Sequence, residues 1–125
     1  MSTARHQWAT KALKPGEHYA GIILGQGDQP DYHLVLLPGA AENVTWPKAK
    51  DFAKKAGGEL PTRREQSLLF ANLKDQFQER ALWSGEQHAA YSDCAWYQYF
   101  GYGYQFSGTT DSKLRARAVR RIPIE

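Results

Sequence analysis

Seven of the eleven residues from Trp96 to Phe106 are aromatic, two are glycine and none is charged. That is more ring surface than one hairpin needs for its share of a core. A Tyr/Gly-rich make-up is also that of binding loops, because tyrosine offers a large, stiff, half-polar contact area that loses little rotamer entropy when it meets a ligand. The segment therefore points to a recognition module before an enzyme.

A chain of 125 residues can bury one real core and is too short for two ordinary domains. The expected organisation is an N-terminal arm over residues 1–15, flexible or oligomer-forming, followed by a single domain over 16–125. The arm is polar, mixed in sign and aperiodic, and it ends in a turn at Lys14-Pro15-Gly16. Hydrophobic residues make up 42% of the chain and charged residues 23%, with no apolar run long enough to cross a bilayer, so membrane insertion is not expected. Met1–Thr10 lacks the apolar stretch of a secretory signal. The expectation is synthesis in the cytoplasm, with association with a virion as a route outward. Cys94 is the lone cysteine, which excludes an internal disulfide or a cysteine metal cluster and leaves a small, half-buried hydrophobe.

Two β-favouring runs, His18–Leu24 and Tyr32–Leu37, flank a loop rich in Gly, Pro and Asp and predict an antiparallel pair. Thr45-Trp46-Pro47 opens a helix, with Thr45 as a side-chain N-cap, and Gly57-Gly58 ends it. Thr62-Arg-Arg-Glu65 is a capping box that starts a second helix, continued by Leu68, Leu69, Ala71 and Leu73 with Phe70 on a flank. After Phe77 come four predicted strands, 81–85, 94–100, 102–107 and 115–122, joined by loops. Strands, then two helices, then strands indicate α+β.

Period-2 alternation puts Trp96, Gln98 and Phe100 on one side of a strand and Tyr97 and Tyr99 on the other. Trp83, Trp96 and Phe100 are assigned to the core. Tyr97, Tyr99, Tyr102 and Tyr104 form the candidate solvent-facing patch, with Gln98, Gln105, Glu86 and Asp93 available to bond hydroxyls.

Four pieces in this order, Gly57-Gly-Glu-Leu-Pro-Thr-Arg-Arg-Glu65, Leu82-Trp-Ser-Gly-Glu86, Ala95-Trp-Tyr-Gln-Tyr-Phe100 and Arg115-Ala-Arg-Ala-Val-Arg-Arg-Ile122, resemble one family. It is the domain of unknown function found at the C-terminus of Lcl-type collagen-like adhesins and in many phage and prophage proteins. The resemblance covers residues 16 to 122. It implies a C-type-lectin-like fold, with two helices on a small, twisted antiparallel sheet and a loop-rich second half. It also implies structural arginines in the last strand, clamping carboxylates such as Glu65 or Glu86. The formylglycine-generating relatives of that fold use cysteine chemistry, which the isolated Cys94 does not support.

Gln29-Pro30-Asp31 spells a lectin sugar-site triplet but precedes both helices and has no later Trp-Asn-Asp partner, so it reads as a turn. Net charge is +3, yet Lys113, Arg115, Arg117, Arg120 and Arg121 crowd the C-terminal end. Arg115 and Arg117 could meet an anionic glycan; basic residues beside stackable rings also suit single-stranded nucleic acid, a partner disfavoured here. His6, His18, His33 and His88 show no metal or catalytic spacing. The expected protein is a non-catalytic recognition domain without cofactor or metal, phage- or prophage-encoded, binding a cell-surface glycan or protein. Its ligand residues are Tyr97, Tyr99, Tyr102, Tyr104, Gln105, Glu86, Arg115 and Arg117. The alternative is a virion assembly subunit whose aromatic hairpin forms a homo-oligomer interface.

Overall fold

The helix starts are set by local chemistry. In the computed structural model, which describes Trp8 and residues 12–124, Thr62 Oγ1 accepts the Glu65 N–H (3.2 Å) and Glu65 Oε1 accepts the Thr62 N–H (2.8 Å), the expected capping box. This opens helix α2 (Arg63–Leu73). Helix α1 (Trp46–Lys55) begins differently. Thr45 holds the extended N-cap conformation, but its side chain makes no capping bond. The need for one is reduced, since the Trp46 N–H is taken by the Thr110 carbonyl (3.0 Å) and Pro47 has no donor. At the far end Gly57 adopts φ +91°, with Gly57 N–H on the Lys54 carbonyl and Gly58 N–H on the Ala53 carbonyl, the Schellman pattern. A Cβ on Gly58 would lie 2.1 Å from the Val119 carbonyl oxygen, so glycine is required there for close approach.

The strands are β1 (His18–Ile23), β2 (Tyr32–Leu36), β3 (Ala41–Val44), β4 (Ala81–Gln87), β5 (Cys94–Tyr99), β6 (Tyr104–Thr109), β7 (Leu114–Ala116) and β8 (Val119–Pro123). They form a three-stranded sheet, β1-β2-β8, and a five-stranded sheet, β3-β7-β4-β5-β6. The fold is α+β, as expected, but the single antiparallel sheet is replaced by two, and β4 runs parallel to β7 through Leu82 and Arg115. The predicted strand 115–122 is likewise divided. Ala116 ends β7 in the larger sheet and Val119 starts β8 in the smaller, so the chain changes sheets across Arg117-Ala118 while the side chains keep alternating, with Ala116 and Ala118 buried. Strand β3 is invisible to pattern reading because it is four residues long, half polar and interrupted at Asn43 (φ +53°).

Two buried clusters follow. Helix α1 packs Ala49 and Ala53 with Trp46, Trp83 and Leu60 against the larger sheet; α2 packs Leu69 with Leu34, Leu36, Leu82 and Phe100 against the smaller. Ala71, expected on the apolar face of α2, is exposed, whereas Glu65 and Gln66 are buried. Both buried indoles donate, Trp83 to the Val44 carbonyl (2.9 Å) and Trp46 to the Ser84 carbonyl (2.8 Å), as buried indoles require. The turn falls just before the expected Gln29-Pro30-Asp31, at Gly27-Asp28, closed by the Gln29 N–H on the Gln26 carbonyl (3.1 Å); Pro30 and Asp31 lead from it into β2, and Asp31 Oδ1 accepts the Gly25 N–H (2.8 Å). The predicted arm lies mostly outside the described residues; of it, Trp8 stacks on His33 (4.1 Å, 27°) and the Ala12 carbonyl accepts from Arg120 (2.9 Å). No helix among the described residues is long and apolar enough to cross a membrane.

The carboxylate of Glu65 ties these parts together. It accepts from Tyr32 Oη (2.5 Å), from Arg121 Nε (2.6 Å) and Nη2 (2.8 Å), and from the Thr62 N–H, which joins α2 to β2 and β8. Burial opposes ionisation of Glu65, but Arg121, Tyr32 and Thr62 together hold its pKa below the ordinary value. Burial first, then the adjacent carboxylate, pushes Tyr32 up to about 12.

Removing one member of such a buried pair typically costs about 3–5 kcal/mol. Glu65→Ala is therefore expected to lower unfolding free energy by about 3 kcal/mol or more, measured by urea denaturation. Because the folded Glu65 pKa is depressed, its contribution is complete above the unfolded value of about 4.3 and is lost as pH falls through the folded value. The stability difference between wild type and Glu65→Gln should accordingly shrink below about pH 4; a gap that stays constant into acid would contradict this assignment.

Candidate functional site

The β5–β6 hairpin sorts its side chains by register. Tyr97 faces Phe106 and Tyr99 faces Tyr104 on one surface, while Trp96 with Ser107 and Gln98 with Gln105 lie on the other, toward α2. On the first surface the rings form a continuous row: Tyr97 to Phe106 at 6.0 Å, Phe106 to Tyr104 at 6.1 Å, Tyr104 to Tyr102 at 5.9 Å and Tyr102 to Tyr99 at 5.8 Å between centroids. These spacings fall in the range of favourable tilted and edge contacts. The inner end is rooted in the core, where Tyr97 meets the edge of Trp83 at 6.2 Å and 88°. Trp83 is 0% exposed, while Tyr102, Tyr104 and Phe106 are 73%, 61% and 49% exposed. The row thus rises from packed interior to open surface on β6, the edge strand of its sheet.

The four tyrosines expected in the patch are brought together, and Phe106 joins them. Alternation from Tyr102 through Tyr104 would have found it, but the sequence reading stopped at the hydroxyl-bearing rings. Tyr97 and Tyr99 are half-buried while Tyr102 and Tyr104 are exposed, and of the four Tyr97 packs against the larger sheet's cluster.

Gln105 and Glu86 do not belong to this surface. Gln105 reaches across the opposite face, donating to the Arg63 carbonyl (2.8 Å) and to Gln98 Oε1 (2.8 Å) and accepting from Arg63 Nε (3.1 Å). Gln98 in turn donates to the Gln66 carbonyl (3.3 Å), and Gln66 to the Leu82 carbonyl (3.0 Å). A line of amides therefore bonds the hairpin to α2 and pairs most of the polar atoms that burial would otherwise penalise, leaving Gln66 Oε1 without a hydrogen-bond partner among the described residues. Glu86 accepts the Arg63 N–H at the start of α2 (2.6 Å), where the helix dipole favours a carboxylate. With Arg63, Arg64 and Ser67, these two residues line an open polar groove of about 600 Å³.

Trp96 also departs from its expected place. It is half-buried outside both clusters, with the Arg63 guanidinium 3.6 Å from its centroid and His88 stacked at 5.0 Å and 16°. Its strand partner face is filled by the amide line rather than by apolar side chains. Trp83 and Phe100 are core residues as expected.

Arg115 lies in β7, separated from β6 by β4 and β5, and Arg117 lies just beyond it in the crossover to the smaller sheet. Arg115 pairs with Glu42 (2.5 Å). Arg117 donates to the Gln76 and Leu37 carbonyls (2.8 and 3.0 Å). The clamp on Glu65 is Arg121, assisted by Glu59 (2.7 Å), and the carboxylate held at Glu86 is held by a backbone N–H. The eight expected ligand residues thus divide among three places, and only the tyrosines share one surface. Asp93 is exposed beside Cys94. Among the described residues no three His, Cys, Asp or Glu side chains converge as a metal would need.

The surface can stack against flat apolar faces, with phenolic hydroxyls at its rim to bond polar neighbours. Its members should differ in structural cost. Tyr102→Ser and Tyr104→Ser are expected to change stability by no more than about 0.5 kcal/mol, whereas Tyr97→Ser should cost about 1–3 kcal/mol, since of the three only Tyr97 packs against the buried cluster. Thermal and urea melts of the three variants check this ordering. Comparison with models of known protein families and with curated proteins finds no match to the chain.

Proposed function

We propose that this chain is a C-type-lectin-like, non-catalytic recognition domain, phage- or prophage-encoded, that presents its ring row to a glycan or protein on a cell surface. The observation that carries the reading is the exposure of Tyr102, Tyr104 and Phe106 in one contiguous row anchored on buried Trp83. Contiguous exposed apolar patches mark interaction sites, and singly scattered ones do not. The row sits on a hairpin tied to α2 by bonded amides, so little ordering entropy remains to oppose binding.

Support for a non-catalytic role comes from the groups a catalyst would use. The His33 ring is bonded to Tyr19 Oη (2.8 Å) and stacked on Trp8; His88 Nδ1 accepts from the Ala90 N–H (3.0 Å) while its ring stacks on Trp96. Both are employed structurally.

A second reading, a virion assembly subunit, draws on one specific feature. Strand β6 is a sheet edge with unpaired backbone groups beside apolar rings, which is the template for pairing with another copy. Such a copy would cover the same rings.

The test uses Tyr102→Ser/Tyr104→Ser/Phe106→Ser, a variant expected to stay folded. On a glycan array and a panel of bacterial cells, binding should fall about tenfold or more, equivalent to about 1.4 kcal/mol. Unchanged binding by the folded variant would overturn the placement. Light scattering coupled to size exclusion separates the second reading, which requires a stable wild-type oligomer that the triple variant dissolves.

A further inference from the structure

The four arginines near the C-terminus do not have equivalent partners. Arg115, Arg120 and Arg121 each meet a carboxylate, from Glu42, Glu17 and Glu65 respectively. Arg117 meets no carboxylate among the described residues, only the carbonyls of Gln76 and Leu37 and the Phe77 ring, and its Nε–H is buried with no hydrogen-bond partner among them. A half-buried cation without a counter-charge is unfavourable unless something supplies one. Burial lowers the pKa of this guanidinium, as an uncompensated charge would show.

Arg117 lines a notch of about 160 Å³ with Arg115, Ala40, Phe77 and Leu82. The notch shares Arg115 and Glu42 with a broader cavity of about 300 Å³ that adds Arg80 and Lys113. Arg80 and Lys113 are exposed and form no ion pair among the described residues. Four cations thus surround one carboxylate, leaving an excess of three positive charges among the lining residues.

We propose that these adjoining cavities bind an acidic peptide segment of a partner protein, with one Glu side chain seated in the notch against Arg117 and a second acidic residue over Arg80 and Lys113. The notch is smaller than the roughly 300–1,000 Å³ of small-molecule sites, so it accepts a side chain rather than a whole metabolite. Ala40, Phe77 and Leu82 on its wall suit a methylene stem, the guanidinium suits a planar carboxylate, and Gln76, Gln78 and Glu42 complete a mixed lining. Phe77 is stacked on Phe100 at 4.2 Å and covered by Arg117, so it offers no open ring face to a sugar. The site is separate from the aromatic row, and its test stands apart from that of the recognition surface.

The probe is a fluorescein-labelled oligo-glutamate peptide followed by anisotropy, with an oligo-glutamine peptide as the neutral control and an oligonucleotide as competitor. Wild type should bind the glutamate peptide alone, more weakly at higher salt. Arg80→Glu/Lys113→Glu, both at exposed positions, should keep its melting temperature and lose about tenfold or more in affinity. Arg117→Gln tests the notch; should it not fold, the exposed double variant decides. No binding at millimolar peptide, binding unaffected by the double variant, or equal displacement by the oligonucleotide would each overturn the proposal.

Discussion

The carboxylate of Glu65 is where the structure's separate parts become one. A single side chain caps α2, takes two of the three guanidinium nitrogens of Arg121 from β8 and receives Tyr32 from β2. Its environment decides whether a buried charge stabilises or destabilises. An ionised carboxylate with 0% exposure is costly alone, but four hydrogen bonds from Tyr32, Thr62 and Arg121 saturate its oxygens, and Arg121 brings a full positive charge. The smaller sheet is thereby locked to the helix whose other side carries the aromatic hairpin. Orientation of the ring row depends on that lock, since Gln105 and Gln98 hang the hairpin from carbonyls of the first two turns of α2.

The ring surplus is distributed by this frame. Trp46, Trp83 and Phe100 satisfy the interior; Trp96 is absorbed by Arg63 and His88 at the surface; Tyr97 bridges core and patch. What remains, Tyr99, Tyr102, Tyr104 and Phe106, lies on the face of the hairpin that α2 does not cover. The amide line explains why the opposite face is not also apolar. Because Gln98 and Gln105 are needed as struts, the rings can occupy only the other face, and strand alternation gathers them there.

Much of the frame was legible in the residues. The capping box at Thr62 and the double glycine after Ala56 carry their own geometry, and they fixed both helix limits closely. Alternation through 96–100 placed Tyr97 and Tyr99 opposite Gln98 and Phe100 correctly. Long-range pairing was not legible. Nothing local to Arg115–Ile122 reveals that the chain leaves one sheet for another, because extended backbone on either side of Arg117 looks the same. Nor does composition distinguish a glutamine that binds a ligand from one that binds Arg63, so Gln105 and Glu86 were grouped with rings they do not accompany. Arg115 and Arg117 were likewise separated from the patch by two intervening strands.

The central claim is that the hairpin's outer rings face solvent in a single molecule. Hydroxyl-radical footprinting read by mass spectrometry, on material shown to be monomeric, tests this directly. The account predicts rapid oxidation of Tyr102, Tyr104 and Phe106, with Trp83 and Phe100 protected. Protection of all five rings in the monomer would contradict it.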